Sequence, residues 1–254
     1  MNETGKYVFC FIREKENTVL SSSNIGGGIS PVYTLPYRDI SAVVCSTAIR
    51  EYDPTRKYLL AHQRVITKIM EKYSPVPLAF GTVGNSDEEI GRIIAANYEM
   101  LAGQIDYFQD KMELGLRITW EDEAYVRDIE DEDIRELKKR VSGKEEDEVL
   151  PEKIRLGKLV EAATYAKRNE YIEKIYEPLS KKAFRSKLKD NIPIKTVFNA
   201  YFLIKKSMSD EFDDSVGKLC KPYEKGLVFS YTGPWPPYNF TDIRLDSSGT
   251  DIVR

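Results

Sequence analysis

Enzyme chemistry needs a nucleophile, a proton carrier, a metal set or a phosphate cradle, and this sequence offers few of these. His62 is the single histidine, so Ser–His or Cys–His catalysis would have only that imidazole to use. It lies at helical spacing with Leu59, Ile66, Ile69 and Tyr73, on an apolar face where a histidine is ordinarily a half-buried, hydrogen-bonded residue. No serine or cysteine stands in a G-x-S-x-G context, the local signature of a nucleophile elbow. Cys10, Cys45 and Cys220 are widely spaced in apolar surroundings. They read as buried free thiols of a reducing cytoplasm rather than as a disulfide frame or a zinc set. Ser142-Gly143-Lys144 and Val216-Gly217-Lys218 lack the remainder of a P-loop, and Gly26-Gly27-Gly28 does not open a helix, as a dinucleotide fingerprint must. Lys181, Lys182, Arg185, Lys187 and Lys189 cluster around Phe184, yet the formal net charge is −3, and no nucleic-acid-binding module is recognisable. No cofactor and no metal is expected. Residue chemistry therefore favours a binding or assembly protein over an enzyme.

The elements that must position these residues indicate an α+β protein. Lys6 to Ile12, Val32 to Leu35 and Ile40 to Thr47 are apolar strand-like runs, with a Ser/Gly-rich loop at Ser21 to Ser30. Asp53-Pro54 predicts a helix start, and the helix runs to about Tyr73. After Pro75 and Pro77, Leu78 to Val83 reads as a fourth strand. Ser86-Asp87-Glu88-Glu89 is a capping box opening a helix to about Asp110, and Met112 to Trp120 alternates as a fifth strand. This order predicts a ferredoxin-like N-terminal domain, residues 1–120, with helices on an antiparallel sheet.

The second domain, residues 121–254, has a different composition. Glu121 to Lys153 is mostly charged, with acidic residues in its first turns and Lys138-Lys139-Arg140 at the end, as a helix dipole favours. Ser142-Gly143 breaks that helix, Glu145 to Glu148 extends an acidic run, and a long helix follows from Pro151 to about Ala183. A charged helical hairpin over 121–183 is the expectation. An α+β unit over 184–240 follows, with strands at Phe184 to Lys189, Lys195 to Lys205 and Gly226 to Tyr231 and a helix capped by Ser209. A tail occupies 241–254. No apolar run approaches the roughly 20 residues that span a bilayer.

The segment Thr232-Gly233-Pro234-Trp235-Pro236-Pro237-Tyr238-Asn239-Phe240 is a stiff strap, because each proline fixes φ and biases its predecessor to extended backbone. Trp235, Tyr238 and Phe240 contribute favourably only when buried. Two readings stay open: the strap folds back and locks the two domains together, or its aromatics anchor a partner.

Four segments resemble the GvpF/GvpL family of gas vesicle proteins. They are His62-Gln63-Arg64-Val65; Pro75 to Val83 with its Phe80-Gly81-Thr82; Glu113-Leu114-Gly115-Leu116-Arg117-Ile118 with Trp120; and Asn199 to Ile204 with the strap. Ala79 departs from the basic residue expected there in many members. The resemblance implies a non-enzymatic accessory protein of buoyancy organelles, located at the gas vesicle and cytoplasmic before assembly. It implies shell nucleation or assembly through binding of the small hydrophobic shell protein and other accessory proteins. On that basis His62, Phe80, Gly81, Trp120, Trp235, Tyr238 and Phe240 are candidate structural or partner-binding residues. A small-molecule-sensing α+β module, with a pocket near Gly26–Gly28, is the alternative, and a hydrolase using His62 is a further rival.

Overall fold

The computed structural model describes residues 5–48, 51–145, 149–243 and 245. The chain forms two compact units, one made of Met1–Glu113 with Pro234–Arg254 and the other of Leu114–Gly233. The division after Glu113 falls before the Trp120 boundary read from the sequence, and the segment from Pro234 belongs to the first unit.

In the first unit, strands β1 (Gly5–Ile12), β2 (Val19–Ser23), β3 (Ser30–Tyr37) and β4 (Ile40–Thr47) are joined by short β5 (Val76–Pro77) and β6 (Val83–Gly84). The order is β2-β3-β4-β1-β5, with β6 also paired to β1, and neighbouring strands run antiparallel. Helix α1 spans Arg56–Met70, α2 Asp87–Ala96 and α3 Tyr98–Phe108. Ala61, His62, Val65, Ile66 and Ile69 form the buried face of α1. They pack on Tyr7, Phe9, Ile12, Ile25 and Val43 of the core, where each large apolar side chain contributes roughly 1.5–3 kcal/mol by burial.

Several boundaries differ from the sequence expectation, each for a local reason. Helix α1 begins after Thr55, whose extended backbone excludes Asp53-Pro54 from the helix. Ser21 to Ser23 lie in strand β2 rather than in the Ser/Gly loop. Of the strand expected over Leu78 to Val83 only Val83 is strand, in β6; β5 precedes the run, and Gly81 turns the chain between the two at φ 86°. The helix expected from Ser86 to Asp110 divides at Asn97, whose Nδ2 donates to the Ile93 carbonyl at 2.8 Å and competes with the backbone ladder. Half of the capping box forms as read, with Ser86 Oγ accepting from the Glu89 N–H. The Glu89 carboxylate instead accepts from the Asn85 N–H.

Strand β7 (Lys111–Trp120) was expected as the fifth strand of the first sheet. That sheet's place beside β1 is already taken by β5 and β6, and β7 joins a second sheet of order β10-β7-β9-β8. The second unit continues with α4 (Asp122–Ile129), α5 (Glu132–Val141) and α6 (Leu150–Tyr171). A π-turn over Ile172–Tyr176 leads to α7 (Glu177–Lys182), so the long helix is nearly continuous. Strands β8 (Arg185–Leu188) and β9 (Thr196–Lys205), helix α8 (Ser209–Cys220) and strand β10 (Leu227–Trp235) complete it. Met208 rather than Ser209 occupies the N-cap of α8. The acidic run at Glu145 to Glu148 and the tail beyond 243 lie largely outside the described residues. Strand β10 runs four residues past Tyr231 into the strap, which an edge position allows because an edge proline breaks no ladder bond. No helix among the described residues is long and apolar enough to cross a membrane.

Candidate functional site

Four of the seven candidate residues, His62, Phe80, Gly81 and Tyr238, meet in the first unit. The positive φ of Gly81 aims its N–H at the Tyr7 phenol oxygen, 3.0 Å away. That oxygen lies 2.8 Å from His62 Nδ1. Since the phenol already accepts from Gly81, its own proton is best donated to Nδ1, which favours the Nε2–H form of the imidazole. Nε2 itself is buried without a hydrogen-bond partner. Aromatic rings surround the imidazole: Phe9 stacks at 5.8 Å, Phe80 meets it edge-on at 5.8 Å, and Tyr238 tilts over it at 6.5 Å. Tyr52 packs edge-on to Tyr7 at 5.0 Å.

The strap brings Tyr238 to this cluster by a tight turn. The Tyr238 N–H donates to the Pro236 carbonyl, and the Phe240 and Thr241 N–H groups donate to that of Pro237. Pro236, Pro237 and Phe240 are buried, whereas Tyr238 keeps 37% of its surface exposed. The turn is tied to Glu113, a carboxylate only 2% exposed, which accepts from the Asn239 backbone N–H at 2.8 Å and from its Nδ2.

Burial sets the protonation of the site. It lowers the His62 pKa to about 4 with no charged group contributing, so the imidazole is neutral near pH 7. It pushes the phenols of Tyr7 and Tyr238 far up, and raises Tyr52 and the Cys45 thiol to about 12 each. Every one of these groups is held neutral. Among the described residues the only group hydrogen-bonded to the imidazole is a phenol that burial keeps protonated, so the arrangement packs and orients rather than activating a nucleophile. All three cysteines are free and buried. Among the described residues no group of three or more His, Cys, Asp or Glu could hold a metal ion.

The other candidates are placed elsewhere. Trp120, in the second unit, is buried, and its Nε1 donates to Asp128 at 3.1 Å, where the Tyr171 hydroxyl also donates at 2.7 Å. Edge contacts to Tyr125 and Tyr171 give it the role of a packing post for α4 and α6. Trp235 is half-buried at the end of β10. Sequence reasoning passed over Tyr7 and Tyr52, and quoted Glu113 within a motif without making it a candidate. The available signal was weak: a tyrosine within the apolar Lys6 to Ile12 run, and a glutamate opening the apolar side of β7.

Residues 5–242 match the family model described as gas vesicle synthesis protein GvpL/GvpF. Gas vesicle protein F1 of Halobacterium salinarum is 23% identical over 237 residues, covering 92% of each chain. Gas vesicle protein L1 of the same organism is 25% identical over 257 residues, covering 93% of this chain and 90% of its own. The crystal structure of GvpF from Microcystis aeruginosa superposes with a TM-score of 0.76 at 20% identity, covering 94% of this chain and 99% of that one. GvpF from Anabaena gives the same TM-score at 19% identity, with 95% and 97% covered.

Proposed function

The chain belongs to the gas vesicle synthesis protein GvpL/GvpF family, and from that premise we propose that it assists formation of the gas vesicle shell by binding the small hydrophobic shell protein together with other accessory proteins. The match over residues 5–242 carries the accessory role; the partners and the step follow from physical reasoning. A protein that handles an aggregation-prone subunit needs sheet edges or apolar surface to receive it and a charged body that stays in solution. Charged residues make up 31% of this chain, and apolar side chains such as Ile29, Ile154 and Tyr165 stand exposed on it. It would act in the cytoplasm before assembly and at the vesicle afterwards, without catalysis.

In this reading the aromatic–imidazole cluster holds the strap, and the exposed face of Tyr238 is the part of it open to a partner. The ties from Asn239 to Glu113 and the burial of Pro236, Pro237 and Phe240 favour a structural role for most of the strap. Deleting the gene from a gas-vesicle-forming host tests the whole proposal. Loss of vesicles, restored by the wild-type gene, together with co-purification of the shell protein, is the expected result. Normal vesicle yield without the gene would overturn it. Trp235→Ala separates the two strap roles: a lowered melting temperature marks a lock, and unchanged melting with lost shell-protein pull-down marks an anchor.

A further inference from the structure

Each sheet leaves two edges, and edges left bare invite pairing with another chain. Three of the four are blunted. Strand β5 is two residues long and contains Pro77. Strand β8 carries Arg185 and Lys187, and β10 carries Pro234. Strand β2, Val-Leu-Ser-Ser-Ser, has neither charge nor proline, and it ends the order of its sheet.

Beside β2 the structure has an open groove of about 550 Å³, lined on one side by Leu20 to Asn24 and on the other by Ala61, Arg64, Val65 and Lys68 of α1. Those four helix positions fall at i, i+3, i+4 and i+7, one face of the helix. Leu20, Ala61 and Val65 make the floor apolar, and Ile29, 86% exposed, stands at its lip. Ser21 Oγ lines the groove and is buried without a hydrogen-bond partner. The rim is basic: Arg64 has no ion pair among the described residues, and Lys68 shares only the exposed Glu71 at 2.7 Å.

We propose that this groove is a strand-addition site for an extended, acidic segment of a partner protein. The segment lies along β2, exchanging main-chain hydrogen bonds with its open edge. Alternate side chains then point in opposite directions, which places apolar ones against Leu20 and Val65. Carboxylates meet Arg64 and Lys68. The five residues of β2 set the reach at about 17 Å, or about five residues of partner. A neutral edge gives affinity without choosing a sequence, and the two cations supply the choice. This inference stands independently of the gas vesicle reading.

The test uses the full chain and a fluorescein-labelled, end-capped decapeptide of alternating valine and glutamate, followed by anisotropy. Saturable binding is expected, weakening as salt rises. The alternating valine–lysine peptide should bind at least tenfold more weakly, as should the valine–glutamate peptide N-methylated at every second residue. Replacing both cations (Arg64→Glu with Lys68→Glu) should cost at least tenfold at unchanged melting temperature. Should that variant fail to fold, Arg64→Gln serves, with about a threefold loss expected. Absence of saturable binding, equal affinity for the charge-reversed or Arg64→Gln protein, or equal binding of the N-methylated peptide overturns the proposal. Complete displacement by millimolar free glutamate also overturns it, because that result marks a small-acid pocket.

Discussion

His62 is the only histidine in the chain, so its titration can be followed without ambiguity, and the cluster around it predicts how. The folded pKa is about 4 against an ordinary value of about 6.5. Between those values the unfolded chain binds a proton that the folded one does not, so stability falls as pH falls. Integrating the linkage, His62 removes about 2 kcal/mol between pH 7.5 and pH 5 and roughly 3 kcal/mol by pH 4, after which its contribution levels off. His62→Gln keeps a polar side chain facing Tyr7 but cannot titrate. Urea unfolding of both proteins at several pH values isolates the effect, because carboxylates common to both cancel in the difference. The mutant should be the less stable by about 1 kcal/mol near pH 7, through its lost hydrogen bond. The order should reverse on acidification, the gap changing by roughly 3 kcal/mol. The ring resonances of wild-type His62 should meanwhile show no titration near pH 6.5. A gap that stays constant from pH 7.5 to 4, or a folded pKa near 6.5, would refute the description of a dry imidazole under the strap.

Two further outcomes test the supports of the same cluster by thermal or urea unfolding. Gly81→Ala should cost about 1–2 kcal/mol from left-handed backbone strain alone, since the nearest atom to an added Cβ is Tyr52 Cβ at 3.8 Å. Gly103→Ala, in mid-helix with nothing within 4 Å, should instead gain about 0.5–1 kcal/mol, and the same sign at both positions would contradict the conformational argument. Asn239→Ala should lose about 1.5–3 kcal/mol by removing one charge-assisted bond from Glu113, and Asn239→Asp should lose more at neutral pH. A neutral outcome for both would show that the carboxylate does not hold the strap.

The sequence carried most of the element types. The face of α1 and the serine cap of α2 follow from spacing and capping chemistry. It was weaker at ends and interruptions. Asn97 divides a helix through its own side-chain bond, and Gly81 turns the chain within an apolar run expected as a strand; both act through geometry that periodicity does not encode. Of the candidate residues, His62, Phe80, Gly81 and Tyr238 were named for motif membership, without any indication that they meet. Trp120 was named with them and lies in a different unit.

Composition, apolar period, proline placement and motif order are properties of residues near one another in the chain, and from them the sequence alone determined an α+β protein, a buried lone histidine, free thiols and the family. Which strand joins which sheet, and which residues share a site, depend on contacts across 55 residues for Tyr7 and His62, 74 for Tyr7 and Gly81 and 126 for Glu113 and Asn239. No local rule selects those partners. They are chosen when the chain closes around a common core, where burial neutralises His62 and the Glu113 carboxylate accepts from Asn239, 126 residues away.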